Sequence, residues 1–462
     1  MKYEFPKDFK WGSAVWAQGT EGAFDQDGKA PTVWDEYYRL APTRFFDEVG
    51  PSETLNWYHD YEKFSTLAEE IGHNSFRTSI LWARLLPDGK NVNQKAVDFY
   101  RKLFTSFKEK GMELSIVLYW FDMPLLFEDK GGFTNPEVVD NFVYYAETCF
   151  TLFDELVDIW YVYNEPIVDV RNKYVLDSCY PNKLDFAFAN QTIYAMCIAH
   201  AKVVEIFNSK KRIGRIGTVL NISTAYPRSQ NSEDLKASNN YDLLHTKCFL
   251  DPIFKGVIND EWLSLLKENG IDIIITAADK ELIEKNVPEI LGLNIYYPAR
   301  IKCLGYARNP KAPLQFESFY DTYEMPGRQM NSDRGWEIYP KAIYDTLIRL
   351  KEDCGNLEIR ITENGMGVQN EAQFRDKSGI IQDDYRIEYV KNHLKYAHKA
   401  IQDGVNLTGY NMWSFVDLWS PSNQFKNCYG FYEFDLETNE VYPKKSASWF
   451  AKITEDNGFG EE

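Results

Sequence analysis

Eight times along this chain a short apolar run precedes or follows a stretch of helical periodicity, and that alternation limits the fold more than any other feature. Strands are expected at residues 9–17, 75–82, 114–118, 160–163, 213–220, 289–295, 357–362 and 407–413. Helical periodicity covers 58–71, 94–110, 136–153, 185–208, 341–351 and 384–403. Strands that alternate with helices form parallel sheets, and eight repeats point to closure into a (β/α)8 TIM barrel rather than an open sheet. Residues 297–335 show no period and are rich in Pro, Tyr, Arg and Asn. A loop that long in a compact fold is expected to be functional, here as a wall of the binding site, so the barrel should carry extended βα loops.

The chain has 462 residues, with 12 Trp, 30 Tyr and 30 Phe, ample for a large core. No Gly/Ser or Pro-rich linker, low-complexity tract or repeat divides it, so one catalytic domain over 1–462 is expected. The first residues hold no apolar leader segment, and no run is long enough to span a membrane. Seven scattered cysteines without a CxxC pair point to reduced thiols in a cytoplasmic protein rather than a disulfide frame or zinc site. A net charge of −18 argues against nucleic-acid and anionic-membrane partners. No G-x-G-x-x-G or phosphate loop follows the first strand, and only six His are present, so no nucleotide cofactor, metal or Ser/His chemistry is indicated. His393 and His398 lie in a helical stretch and are expected to face solvent.

Two strands end on a glutamate next to an asparagine. Ile361-Thr362-Glu363-Asn364-Gly365 closes the seventh strand with Asn-Gly, a chain-reversal signal, and Tyr163-Asn164-Glu165-Pro166 closes the fourth. Either glutamate alone reads as an ordinary surface residue at a turn. Together, at the carboxyl ends of strands on opposite sides of a barrel, they are placed as catalytic side chains are. Glycosidic cleavage needs such a pair, one carboxyl to protonate the leaving oxygen and one to attack the anomeric carbon or activate water; about 5 Å between them permits a covalent intermediate. Arg77, inside the second strand, is a cation that needs an anion. If that anion is Glu363, it stays ionised, and its charge raises the pKa of Glu165 so that Glu165 keeps the proton of a general acid. A structural ion pair is the other reading of Arg77.

At these residues the chain resembles glycoside hydrolase family 1, the retaining β-glycosidases on a (β/α)8 barrel, over nearly its whole length. Gln18-Gly19-Thr20-Glu21-Gly22 is similar to the family's Gln-x-x-Glu-Gly opening, and residues 76–84 to its second-strand signature. Tyr163-Asn164-Glu165-Pro166 and Ile361-Thr362-Glu363-Asn364-Gly365 resemble the acid/base and nucleophile motifs, and Gly292-Leu293-Asn294-Ile295-Tyr296 the sixth-strand motif. The resemblance implies Glu165 as acid/base and Glu363 as nucleophile, oriented by Arg77, Asn164, Asn294 and Tyr296. It implies Gln18 and Asn164 on sugar hydroxyls, Trp413 under the sugar ring and Trp336 near the leaving group.

Two departures refine that picture. Where plain β-glucosidases carry a Glu after strand eight, this chain has Ser420, as the family's 6-phospho branch does. In that branch Ser, Lys and Tyr of the same loop hold a 6-phosphate, which implies Ser420, Asn423, Lys426 and Tyr429 as substrate-binding residues. A carboxylate would repel a phosphate, whereas hydroxyl, ammonium and phenol groups donate to it. The branch places its Lys two residues before the Tyr; here Asn427 stands there and Lys426 one residue earlier. Pro421 stands where some galactoside-preferring relatives carry Trp, which points to glucosides. The second departure is Trp120, a donor-only indole in place of the family His on the 3-hydroxyl. The expected activity is hydrolysis of a small 6-phospho-β-glucoside without cofactor, and a homo-oligomer is left open. The alternatives are a β-glucosidase or β-galactosidase for unphosphorylated glycosides, a sugar-binding barrel with impaired catalysis, and a transglycosylase.

Overall fold

The computed structural model describes residues 2–309 and 311–461. The eight apolar runs are strands β1 (Lys10–Ala14), β2 (Ser75–Ser79), β3 (Glu113–Tyr119), β4 (Ile159–Asn164), β5 (Arg215–Asn221), β6 (Ile290–Asn294), β7 (Glu358–Asn364) and β8 (Leu407–Trp413). Each pairs in parallel with the next, and β8 returns to β1, closing the barrel. Around it lie helices α1 (Trp57–Glu70), α2 (Gln94–Glu109), α3 (Pro136–Phe153), α4 (Phe186–Asn208), α5 (Ala277–Lys285), α6 (Lys341–Cys354), α7 (Asp384–Gln402) and α8 (Lys445–Asp456), one after each strand. The expected (β/α)8 TIM barrel is the fold observed.

Local chemistry sets the helix starts. Asp185 accepts the Phe188 N–H at 2.9 Å to cap α4, and α3 opens with Pro136 behind an Asn135 cap. Strand faces alternate, so the strands contribute side chains both to the barrel interior and to the layer under the helices. Toward the amino ends of the strands the interior carries ion pairs, Arg360 with Glu113 and Arg215 with Glu358 at 2.7 Å. Higher up it carries Arg77. Between barrel and helices the aromatic content is used as core: Trp11, Trp57, Trp82, Trp160 and Trp262 are all buried.

Three expectations change. The second strand stops at Ser79 rather than continuing to residue 82, because Trp82–Leu85 turns into a short helix that carries Arg84 onto Glu21 at 2.8 Å. His393 is buried, not solvent-facing: it lies on the inner face of α7, its Nδ1 2.7 Å from the Tyr389 carbonyl oxygen. Only the ends of the 297–335 segment wall the site. Its middle forms a small sheet, Ala299–Lys302 pairing with Ala225–Pro227 and Asp321–Thr322. Among the described residues no helix is long and apolar enough to cross a membrane.

Candidate active site

Glu363 and Glu165 both stand where their strands run out at the carboxyl end of the barrel. Glu363 is the penultimate residue of β7, paired with Asn294 of β6. Asn364 does not make a turn here. Its Nδ2 donates to the Ile295 carbonyl at 2.7 Å and its Oδ1 accepts the Tyr410 hydroxyl at 2.8 Å, clamping β7 between β6 and β8. Gly365 is required by close approach rather than by a left-handed turn, since a Cβ would sit 1.9 Å from the Trp413 carbonyl oxygen. Glu165 follows β4 in a left-handed conformation (φ 46°, ψ 57°), costly for a residue with a Cβ and held by its N–H on the Val219 carbonyl at 2.9 Å.

One hydrogen-bond network joins the two carboxylates. Arg77 Nη1 donates to Glu363 Oε1 at 2.9 Å, and its Nη2 donates to Asn164 Oδ1. Asn294 Nδ2 donates to Asn164 Oδ1 at 3.1 Å and to Glu165 Oε1 at 2.6 Å. The Tyr296 hydroxyl donates to Glu363 Oε2 at 2.7 Å. The four residues expected to orient the glutamates therefore touch them or one another. Asn221, which sequence reasoning missed, adds a donor to Glu165 Oε1 at 3.1 Å. It ends β5 with no motif around it.

The two carboxyls are both buried, at 8% and 5% exposure, and differ in what faces them. Burial first, then the charge of Glu363, pushes Glu165 up to about 7 against the opposing amides of Asn294 and Asn221. Burial also raises Glu363, but the Arg77 charge and the Tyr296 and Arg77 hydrogen bonds oppose it. A shared proton therefore resides on Glu165, which has only neutral donors, while Glu363 faces a guanidinium. Sequence reasoning credited the neighbouring charge with the Glu165 shift; burial is the larger cause.

Both glutamates open onto a cavity of about 240 Å³. Trp120, Trp413, Trp336, Ser420, Asn423, Tyr296 and Tyr429 line it as expected. Two expected residues do not. Gln18 is buried in the short helix Ala17–Thr20 that follows β1, with its Nε2 3.5 Å from Asp35 and its Oε1 unpartnered. Lys426 is turned away: its Nζ lies 5.4 Å from the Phe46 ring centre, in a separate depression formed with Phe425 and Cys428. The loop curls back at Ser420, whose carbonyl accepts the Gln424 N–H at 2.7 Å, and this carries Lys426 to its outer side. The cavity instead holds two arginines absent from the sequence reading, Arg171 and Arg334, and its only carboxylates among the described residues are Glu165 and Glu363.

A buried charge cluster fixes the loop after β8. Lys444 Nζ lies 2.8 Å from Asp417 and also contacts Glu371, which pairs with Arg386. Asp417 Oδ1 accepts the Gly430 N–H at 2.7 Å, and Arg386 donates to the Cys428 carbonyl at 2.9 Å, so both charges hold the backbone beside Tyr429. Burial works to raise both carboxyls; at Glu371 the Arg386 and Lys444 charges outweigh it and hold the group below the usual carboxylate range, whereas burial wins at Asp417 and lifts it.

The profile of glycosyl hydrolase family 1 matches residues 1–459. The 6-phospho-beta-glucosidase GmuD of Bacillus subtilis is 46% identical over 460 residues, 99% of each chain. The 6-phospho-beta-galactosidase of Leptotrichia buccalis is 35% identical, over 98% of this chain and 99% of its own. The family 1 β-glucosidase of Thermotoga maritima superposes with a TM-score of 0.91 at 28% identity over the full length of both chains. With two strand-end glutamates in one mouth, this chain belongs to glycosyl hydrolase family 1 and is a retaining glycoside hydrolase.

Proposed function

We propose that the chain, acting as one catalytic unit over residues 1–462, hydrolyses 6-phospho-β-glucosides by double displacement. Glu363 attacks the anomeric carbon while Glu165 protonates the departing oxygen. Water, deprotonated by Glu165, then releases the sugar from the Glu363 ester. The observation that carries these roles is the asymmetry of their surroundings: Arg77 and Tyr296 on Glu363, only amides on Glu165. A carboxylate stabilised as an anion is suited to attack, and one that holds its proton near neutrality is suited to give it.

Trp413 and Trp120, with ring centres 5.7 Å apart, offer apolar faces to a sugar ring, and Trp336 packs on Tyr296 and Tyr297 beside the leaving-group side. Support for a 6-phosphate comes from the loop after β8. It brings Ser420, Asn423 and Tyr429 to the cavity with no carboxylate among them, and the 46% identical relative is named a 6-phospho-beta-glucosidase. Parallel assays with p-nitrophenyl β-glucoside and its 6-phosphate test the reading. A higher kcat/KM for the phosphorylated substrate is expected; equal or better turnover of the plain glucoside overturns the phosphate assignment and leaves a β-glucosidase.

A further inference from the structure

We propose that Arg334 is the cation that selects a 6-phosphorylated substrate, in the place that sequence reasoning gave to Lys426. The inference rests on the reading of the substrate as a 6-phosphoglycoside and names the side chain that recognises its charge.

A phosphate that enters this cavity meets two catalytic carboxylates, so a cation must offset the repulsion. Three guanidiniums are candidates. Arg77 is held by Glu363 and Asn164, and Arg171 is paired with Glu317 at 3.1 Å on the helix that follows Glu165. Arg334 is the third. It forms no ion pair among the described residues, unlike the other two, while the Nε atoms of all three are buried without a hydrogen-bond partner. It lines the cavity together with Ser420, Asn423 and Tyr429, and it is close enough to Tyr429 to oppose the burial of that phenol.

The position of Arg334 is built rather than incidental. Its guanidinium lies 4.1 Å from the Trp336 ring centre, which fixes its plane, and it reaches the Tyr429 hydroxyl, the phenol on the same wall of the cavity. The adjacent Asp333 ties this loop to its neighbours: its carboxylate accepts the Gln369 N–H at 2.8 Å, and its carbonyl accepts Gln369 Nε2 at 2.9 Å and Asn427 Nδ2 at 3.4 Å. Asn427 also accepts from Asn423. The residue two before Tyr429 is thus a neutral strut between the loops, and the charge arrives from the opposite loop.

The test compares kcat/KM for p-nitrophenyl β-glucoside 6-phosphate and p-nitrophenyl β-glucoside in the wild type, R334M, R334K and K426M. A charge-assisted contact of this kind corresponds to roughly 10- to 150-fold in affinity. R334M is expected to lower the phosphorylated-to-plain ratio by about that factor, chiefly through KM; R334K recovers part of it, and K426M keeps the wild-type ratio. Inhibition by glucose 6-phosphate should weaken in R334M in parallel. An unchanged ratio in R334M, an equal loss on both substrates, or a collapse of the ratio in K426M overturns the assignment. A wild type that does not prefer the phosphorylated substrate overturns the underlying substrate reading, which the wild-type comparison alone reveals.

Discussion

The Arg77 guanidinium lies 4.2 Å from the ring centre of Trp120 while its Nη1 stays 2.9 Å from Glu363 Oε1. The side chain that stands in place of the expected histidine therefore supports the counter-ion of Glu363 from one face. Trp120 is itself fixed, its backbone N–H donating to Asp122 Oδ1 at 2.8 Å and its ring lying against Trp413. The substitution sends the role of this position inward, toward the catalytic charges.

Trp120→Ala should therefore lower kcat as well as raise KM. A desolvated cation–π contact of about 0.5–2 kcal/mol corresponds to a loss of up to roughly thirtyfold through Arg77. Trp120→Phe keeps a ring face and should retain most of the activity. Steady-state kinetics decide the matter; an effect of the Ala variant on KM alone would show that Trp120 touches only the sugar.

The two glutamates should separate chemically when truncated. Glu363→Gly leaves no atom to attack, so turnover should fall to background, and added azide should yield an α-glycosyl azide. Glu165→Ala should lose about 10²–10⁴-fold, with azide yielding the β-glycosyl product from an intact intermediate. Product configuration by NMR tests the assignment, and the reverse pattern would exchange the roles.

The basic limb of the pH–rate profile reports Glu165. As pH rises through about 7 the acid loses its proton and kcat/KM should fall. The Asn221 amide stabilises the charged carboxylate, so Asn221→Ala should raise the pKa and move the limb to higher pH by roughly half to one unit. A shift to lower pH, or none, would remove Asn221 from the tuning of the acid.

The same group links stability to pH. Its folded-state pKa is raised from 4.5 to about 7, so its proton-linked contribution is fully present below 4.5 and is lost as pH rises through 7. The difference corresponds to about 3 kcal/mol. Glu165→Gln cannot ionise. Its advantage in thermal unfolding over the wild type should thus grow by about 3 °C between pH 5 and pH 8. A pH-independent difference would contradict the raised pKa.

The barrel was legible because period-two and helical patterns alternate so regularly; β8 runs over 407–413 as read, and most other ends move by one or two residues. The network around the two glutamates was legible because most of its members sit at or just past strand ends within recognisable motifs, and Arg77 is a charge inside a strand that needs an anion. What escaped lies where the chain has no period. Arg334 lies in the aperiodic 297–335 segment, where the nearby Trp336 marks a wall of the site but not a cation, and Asn221 ends β5 with no motif around it. Lys426 shows the opposite failure: a cation in a loop of the right composition is carried outward by the tight return at Ser420 and Gln424. His393 sits on a helix with polar neighbours, and only the packed helix shows that its face is inward.

Glu371, Asp417 and Cys428 present ligand atoms within 4.8 Å of one another, the spacing of a chelating trio, yet the ammonium of Lys444 occupies the midst of the two carboxylates. The enzyme thus carries its own permanent counter-ion, covalently supplied and always in stoichiometric amount. Order in the loop after β8 is thereby independent of the mineral composition of its surroundings.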